Sequence, residues 1–390
     1  MQEKGSHGIN VCSEKVNMRD TYLPYGRQWV DDADIEAVAS VLKADLITTG
    51  AKVREFEDKI ASYCGAQYAV AVSSGTAALH CACVVAGISN GDEVITTPIT
   101  FFADTAAIVF CGGVPVLADV REDTINIDSI EIQNKITKKT KAIIPVDLGG
   151  HPVELDEIML IARKNNLIVI EDACHALGAE YKGKKVGSIS DMTVFSFHPV
   201  KHITTGEGGM ILTNNEEYYE KLCMFRSHNI QKGLWHWQYK IYEPGYNYRL
   251  TDFQCALGIS QLNKLDKFIA RRREIVKIYN KAFAGIKNII TPIELDMVKS
   301  PYHLYIIQLI DIDRNNFIEG LVKENIGAQI HYIPMHYLPY FRERFGSKEG
   351  DYPKAEAYYS RAVSLPIFPK MADGDVNDVI NAVRRLANDK

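Results

Sequence analysis

The 390 residues carry 46% hydrophobic and 24% charged side chains, the proportions of an ordinary globular enzyme, and fill one large domain with a smaller companion. A formal charge of -5 excludes the basic footprint that nucleic acid or an anionic membrane requires. No stretch approaches the roughly 18 continuous apolar residues of a membrane span. The eight cysteines lack finger or CxxC spacing, which reads as reduced thiols in a cytoplasmic protein.

Residues 1–20 are polar, hold Lys4, Lys15 and Arg19, lack the apolar core of a signal peptide, and read as a loose leader. Val30, Ile35, Val38 and Leu42 then fall at near-helical spacing behind Asp31 and Asp32, an acidic helix start. Seven apolar runs follow: Tyr68–Val72, Glu93–Thr96, Val114–Leu117, Ala142–Val146, Ile168–Ile170, Thr193–Phe197 and Met210–Thr213. They are rich in Val and Ile and many are separated by helical patterns. That rhythm predicts an α/β fold, a mostly parallel seven-stranded sheet with helices on both faces. Beyond Leu250 one long helical segment runs from Thr251 to about Ala284. Tyr305–Ile310 and Gln329–Ile333 read as strands and Val376–Ala387 as a closing helix. The predicted organisation is a large domain over 21–260 and a smaller C-terminal α/β domain over 261–390.

In such sheets ligands gather beyond the carboxyl ends of strands, and three segments there carry chemistry. Ser73-Ser74-Gly75-Thr76-Ala77-Ala78-Leu79 follows the first strand. Small residues and open helix N–H groups make it a seat for a phosphate, or else a plain strand-to-helix turn capped by Ser74. Glu171-Asp172-Ala173-Cys174-His175 follows the fifth strand. There Asp172 is either a functional acid or a helix cap, and His175 either a site residue or a hydrogen-bonded structural one. Phe195 to His202 and the turn Gly206-Glu207-Gly208-Gly209 place Lys201 in a proline-containing loop between two strands. A lysine so held, near a phosphate seat and a carboxylate, has the setting to form a Schiff base with an aldehyde cofactor. His198 and His202 are four apart, but Pro199 between them disfavours a helical metal clamp, and no metal site is expected.

At these residues the chain resembles the DegT-like sugar aminotransferases, a branch of the PLP-dependent aspartate-aminotransferase superfamily of fold type I. The likeness runs from about Tyr22 onward. It takes in Ile47-Thr48-Thr49-Gly50, Ser74-Gly75-Thr76-Ala77, Glu171-Asp172-Ala173 and Ser196 to Lys201. It continues through Gly245-Tyr246-Asn247-Tyr248-Arg249 and His331-Tyr332-Ile333-Pro334.

The resemblance implies pyridoxal 5'-phosphate (PLP) as cofactor, held as a Schiff base by Lys201, which also moves the proton. Asp172 would bond the pyridine nitrogen and keep it protonated. Phe101 would cover one ring face, and His175 would lie near the phenolic oxygen. Gly75, Thr76 and Ser196 would hold the phosphate, with Asn247 reaching in from the partner of a homodimer. Nucleotide-sugar contacts would come from Tyr25, Asp45, Leu46, Ile47, Thr48, His331, Tyr332, Ile333 and Pro334, with Gly75, Ser196 and Asn247 at the same edge.

The same scaffold supports sugar dehydratases, in which a histidine replaces the lysine. Lys201 in that slot argues for transamination from L-glutamate. A PLP-binding regulator without turnover is the other reading, but the chain has no room for a winged-helix domain and no basic stripe. The stretch Phe197 to Gly209 looks most like the branch serving pseudaminic acid synthesis. That branch aminates C4 of a UDP-linked 4-keto-6-deoxy-N-acetylhexosamine, to give UDP-4-amino-4,6-dideoxy-N-acetyl-β-L-altrosamine. Its sister branches act at C4 of other UDP or dTDP sugars, including the aminoarabinose precursor.

Overall fold

The computed structural model describes residues 19–235 and 237–388. Most of the expected leader therefore lies outside the described residues. Its last part is not loose: Arg19 pairs with Asp375 at 2.7 Å and Asp378 at 2.5 Å.

In chain order the elements run α1 (Asp32–Leu42), α2 (Ala51–Cys64), β1 (Tyr68–Val72), α3 (Gly75–Val85), β2 (Glu93–Thr96), α4 (Ala103–Phe110) and β3 (Val114–Leu117). They continue with α5 (Ser129–Lys135), β4 (Thr140–Ile144), α6 (Leu155–Asn165), β5 (Ile168–Asp172), the short β6 (Glu180–Tyr181) and β7 (Lys184–Lys185), β8 (Met192–Ser196), β9 (Gly209–Thr213) and α7 (Glu216–Phe225). A small hairpin, β10 (Gln231–Lys232) and β11 (Tyr239–Lys240), precedes α8 (Asp252–Leu262) and α9 (Leu265–Phe283). The remainder is β12 (Ile289–Ile290), β13 (Val298–Lys299), β14 (Tyr305–Leu309), α10 (Arg314–Lys323), α11 (Pro339–Phe345), α12 (Pro353–Arg361), β15 (Ala362–Leu365) and α13 (Asp373–Asn388).

All seven expected runs enter one sheet, in the order β1-β9-β8-β5-β4-β2-β3. The pairs from β8 through β5, β4 and β2 to β3 are parallel, whereas β9 runs antiparallel to both its neighbours. The sheet carries apolar clusters on both faces, among them Val70, Ile144 and Ile211 on one side and Ala71, Phe195 and Leu212 on the other. Period-2 side-chain alternation with both faces covered is what produces the continuous Val/Ile runs.

Two expectations need correction. The long helix from Thr251 is two helices, parted at Asn263 and Lys264. At that break Gln261 bonds the Trp29 carbonyl, and Lys264 Nζ reaches Asp31 and Asp34 at 2.7 and 2.6 Å. Gln329–Ile333 is not a strand: Gln329 exchanges both backbone bonds with Ser364 of β15, and the pairing stops at that single bridge. The core of the C-terminal part (Ile275, Tyr279, Tyr305, Val363, Val379) also includes Leu23, although 21–25 precedes the sheet in sequence. Leu23 exchanges backbone bonds with Asn325 and Gly327, whereas Leu265 and Ile269 at the start of α9 belong to the sheet's core. Helix α9 thus spans both cores. No helix among the described residues is long and apolar enough to cross a membrane.

Candidate active site

Along the carboxyl edge of the sheet lies a cavity of about 650 Å³, within the usual size range of ligand pockets. At one end β1 turns into α3. Ser74 Oγ accepts the Ala77 N–H at 3.1 Å and its carbonyl accepts that of Ala78. The N–H groups of Gly75 and Thr76 have no intrahelical acceptor at this position and face the open helix end, the arrangement that attracts an anion. Ser74 therefore caps the helix, and the first-turn N–H groups stay open beside it.

Space enforces the glycines there. A Cβ on Gly75 would stand 3.0 Å from Ser196 Cβ, and one on Gly209 would come within 2.3 Å of the Ser74 carbonyl oxygen. Gly75, Thr76 and Ser196 all line the cavity.

Asp172 closes β5. Its N–H donates to the Pro145 carbonyl at 2.9 Å, and its Oδ1 accepts the Cys174 N–H at 2.9 Å. The carboxylate is thus fixed within its own turn and still lines the cavity. Behind it, Glu171 accepts from Ser190 and Thr193, both at 2.9 Å. Burial pushes Glu171 up to about 7 and raises Asp147 well above the carboxylate range.

Lys201 sits in the loop that leaves β8 and returns as β9. Phe197 and Gly208 clamp the loop's ends with a backbone bond of 2.9 Å, Thr204 Oγ1 and the Thr205 N–H both donate to the Phe197 carbonyl, and the Lys201 N–H donates to His198. Burial pulls the amine below the ordinary lysine range, against the opposing pull of Cys174, Asp172 and Asp104. A lysine so shifted is easier to use as a base.

His175 accepts the Gly149 N–H on Nδ1 at 3.3 Å and meets the Tyr332 hydroxyl through Nε2 at 3.2 Å. Burial holds this ring far below the ordinary histidine range, with the Lys201 charge next in weight. Phe101 is 61% exposed on the wall, its ring 6.1 Å from that of Tyr332. From the C-terminal part come His331, Tyr332 and Ile333, and Tyr25 stands 5.4 Å from the His331 ring. His331 Nδ1 pairs with Ser364 Oγ at 2.8 Å, its carbonyl accepts from Tyr358, and burial pushes it down to about 3.

Several expected residues do not reach this cavity. Asn247 lies at the base of the β10–β11 hairpin, bridged to Ser227. Asp45, Leu46, Ile47 and Thr48 form a separate exposed stretch in which Thr48 bridges Thr251 ahead of α8. Pro334 adjoins Ile333 outside the lining. A second cavity, of about 700 Å³ beneath Gly149 and Leu304, holds no facing pair of buried amine and carboxylate. Among the described residues no group of three or more His, Cys, Asp or Glu is placed to hold a metal ion.

Sequence reasoning passed over Thr100, Asp104 and Cys174, all of which line the cavity. The available signal was Thr100 and Asp104 at i,i+4 spacing just beyond β2.

Residues 28–384 match the DegT/DnrJ/EryC1/StrS aminotransferase family. The chain is 41% identical over 383 residues to the spore coat polysaccharide biosynthesis protein SpsC of Bacillus subtilis, covering 95% of this chain and 98% of that one. It is 40% identical over 355 residues to the UDP-4-amino-4,6-dideoxy-N-acetyl-beta-L-altrosamine transaminase of Campylobacter jejuni, covering 90% and 93%. The solved structure of Helicobacter pylori PseC, an aminotransferase involved in pseudoaminic acid biosynthesis, superposes with a TM-score of 0.90 at 32% identity, covering 95% of this chain and 100% of that one.

Proposed function

The chain belongs to the DegT/DnrJ/EryC1/StrS aminotransferase family and is a PLP-dependent sugar aminotransferase; on that premise we propose that it carries the amino group of L-glutamate to C4 of a UDP-linked 4-keto-6-deoxy-N-acetylhexosamine, giving UDP-4-amino-4,6-dideoxy-N-acetyl-β-L-altrosamine. The observation that carries the reaction class is a half-buried lysine and a fixed aspartate lining one cavity beside an open helix N-terminus. The choice of sugar is supported by the C. jejuni transaminase, matched over 90% of the chain.

The residues present fit the cofactor. Gly75 and Thr76 N–H groups with Ser196 suit its phosphate, Asp172 its pyridine nitrogen, and Lys201 its aldehyde carbon. When bound, PLP supplies an electron-withdrawing ring and a carbonyl that condenses with amines.

The chain's own residues do the rest. Lys201, drawn below the ordinary lysine range by burial, takes the proton from Cα of the amino donor and returns it to the accepting carbon. Proton transfer from a positioned group of this kind contributes about 10²- to 10⁴-fold. Asp172, held by the Cys174 N–H, keeps the pyridine nitrogen protonated. Phe101 would cover a ring face, and His175 and Tyr332 would bound the phenolic side. Tyr25, His331 and Ile333 form the wall on which the sugar nucleotide lies.

Asn247 lies outside its own chain's cavity, which supports a homodimer in which it serves the partner's phosphate seat. The exposed stretch Asp45 to Thr48 is read in the same way. SpsC, of nearly equal identity, supports a second reading, a sister aminotransferase for another nucleotide sugar. A panel of enzymatically made 4-keto-sugar nucleotides incubated with glutamate decides between them. Amino-sugar formation from the UDP-N-acetyl substrate is expected, and a clear preference for a different nucleotide or sugar would overturn the proposal.

A further inference from the structure

Asp104, in the first turn of α4, is fully buried and lines the same cavity as Asp172 and Lys201. Thr100 Oγ1 donates to its Oδ2 at 2.5 Å, while Oδ1 has no donor among the described residues. The carboxyl of Asp172 lines the same cavity, close enough for its charge to act on Asp104. The other titratable groups near the pair are the Lys201 amine, the Cys174 and Cys83 thiols and the Tyr332 phenol, with Glu171 and Asp147 behind on the sheet side.

Two carboxyls buried side by side do not both ionise, so one of them keeps its proton. Asp172 has a backbone N–H to stabilise its charge, whereas Asp104 has a single hydroxyl. Burial first, and the Asp172 charge second, raise Asp104 well above the carboxylate range. A proton on Asp104 would give its unpartnered buried Oδ1 a use, as a donor toward the neighbouring carboxyl of Asp172.

We propose that Asp104 is a positioning residue whose neutral carboxyl donates a hydrogen bond to Asp172 and so sets the orientation and basicity of the carboxylate that meets the cofactor's pyridine nitrogen. This rests on the reading of Asp172 given above. An amide at position 104 retains a donor and an alkyl group does not, so the two substitutions separate donation from charge.

The test uses the full-length, PLP-loaded protein and three variants: Asp104→Asn, Asp104→Ala and Asp172→Asn. The visible absorbance of the bound cofactor is titrated against pH, and PLP affinity is measured by reconstituting apoprotein. Asp104→Asn should match the parent to within about twofold in affinity. Asp104→Ala should bind PLP roughly tenfold more weakly, with a displaced titration, as expected for losing a hydrogen bond to a charged group. Equal displacement in Asn and Ala would mean that position 104 acts as a charge, and no displacement in Ala would make it a packing residue. Either result overturns the inference.

If Asp104→Ala does not fold, infrared difference spectroscopy of Asp104→Asn against the parent decides. The protonated-carboxyl band should diminish at neutral pH, and an unchanged band overturns the inference. Asp172→Asn separates the two levels. If it leaves the titration unmoved, the reading of Asp172 falls and this inference with it. If it moves the titration while Asp104→Ala does not, this inference alone falls.

Discussion

The Tyr332 hydroxyl and His175 Nε2 lie 3.2 Å apart, and this contact joins the loop before α11 to the turn after β5. The Gly149 N–H donates to Nδ1 of the same imidazole, so in the neutral ring the proton is on Nε2 and points at the phenol oxygen. The Tyr332 O–H is left free to donate into the cavity. His202 and His303 are likewise held well below the ordinary range by burial, so this side of the site is built from neutral imidazoles.

Acid lability follows from that state. His331, at about 3 when folded against 6.5 for the free side chain, has a depressed value. Its stabilising contribution is therefore complete above about pH 6.5 and is lost progressively as pH falls toward 3. At pH 5 the loss is about 2 kcal/mol from this group. Urea unfolding at pH 8 and pH 5 should show the parent losing about that much more than His331→Asn. Parallel losses in the two proteins would clear His331 of the effect.

Lys201→Ala should fold, with a melting temperature within a few degrees of the parent, because the loop is held by its backbone bonds and not by the amine. It should lose the lysine-dependent visible absorbance of bound PLP and drop more than about a thousandfold in amino transfer. Normal turnover in this variant would show that another amine anchors the cofactor.

Asp172→Asn retains the acceptor for the Cys174 N–H, so cofactor binding should survive. The amide cannot keep a pyridine nitrogen protonated, and proton abstraction from glutamate should slow by about 10²- to 10⁴-fold. Single-turnover mixing with glutamate measures this directly, and near-normal rates would remove Asp172 from the chemistry.

Mixing tests the shared site. Lys201→Ala and Asn247→Ala chains, each impaired alone, should regain activity when refolded together, because a twofold mixed dimer contains one site with both residues intact. If Asn247 serves its own chain, every site in the mixed dimer carries a lesion and activity stays low. The comparison is made on preparations shown to contain mixed dimers, with Asn247→Ala first shown to be impaired.

The sheet was legible because strands buried on both faces must be apolar throughout, and Val70, Ile144 and Ile211 leave no other reading. Lys201 was legible because strands bracket its loop. The break at Asn263 and Lys264 was hidden, since it coincides with long-range bonds to Asp31 and Asp34 that periodicity does not carry. Asp104 was hidden for a different reason: an acid in a first helical turn ordinarily serves the helix dipole, and only burial beside Asp172 gives it another meaning. The run Gln329–Ile333 carries strand-forming residues, yet only Gln329 meets β15. Asn247 was singled out by its motif, yet it lies outside its own chain's cavity, a separation that a sequence pattern does not carry.

The pairing of Leu23 with Asn325 and Gly327 bears on how the chain reaches its native state. Nearby, Arg19 and Asn325 are hydrogen-bonded across 306 positions of sequence, so the segment around Leu23 takes its native place only after residue 325 has been made. The sheet can consolidate early, since every one of its strands is complete by Thr213. Tyr25, which forms part of the cavity wall, is delivered to it only by that final long-range closure. Maturation is therefore not vectorial, and binding competence should be among the last properties a nascent chain acquires.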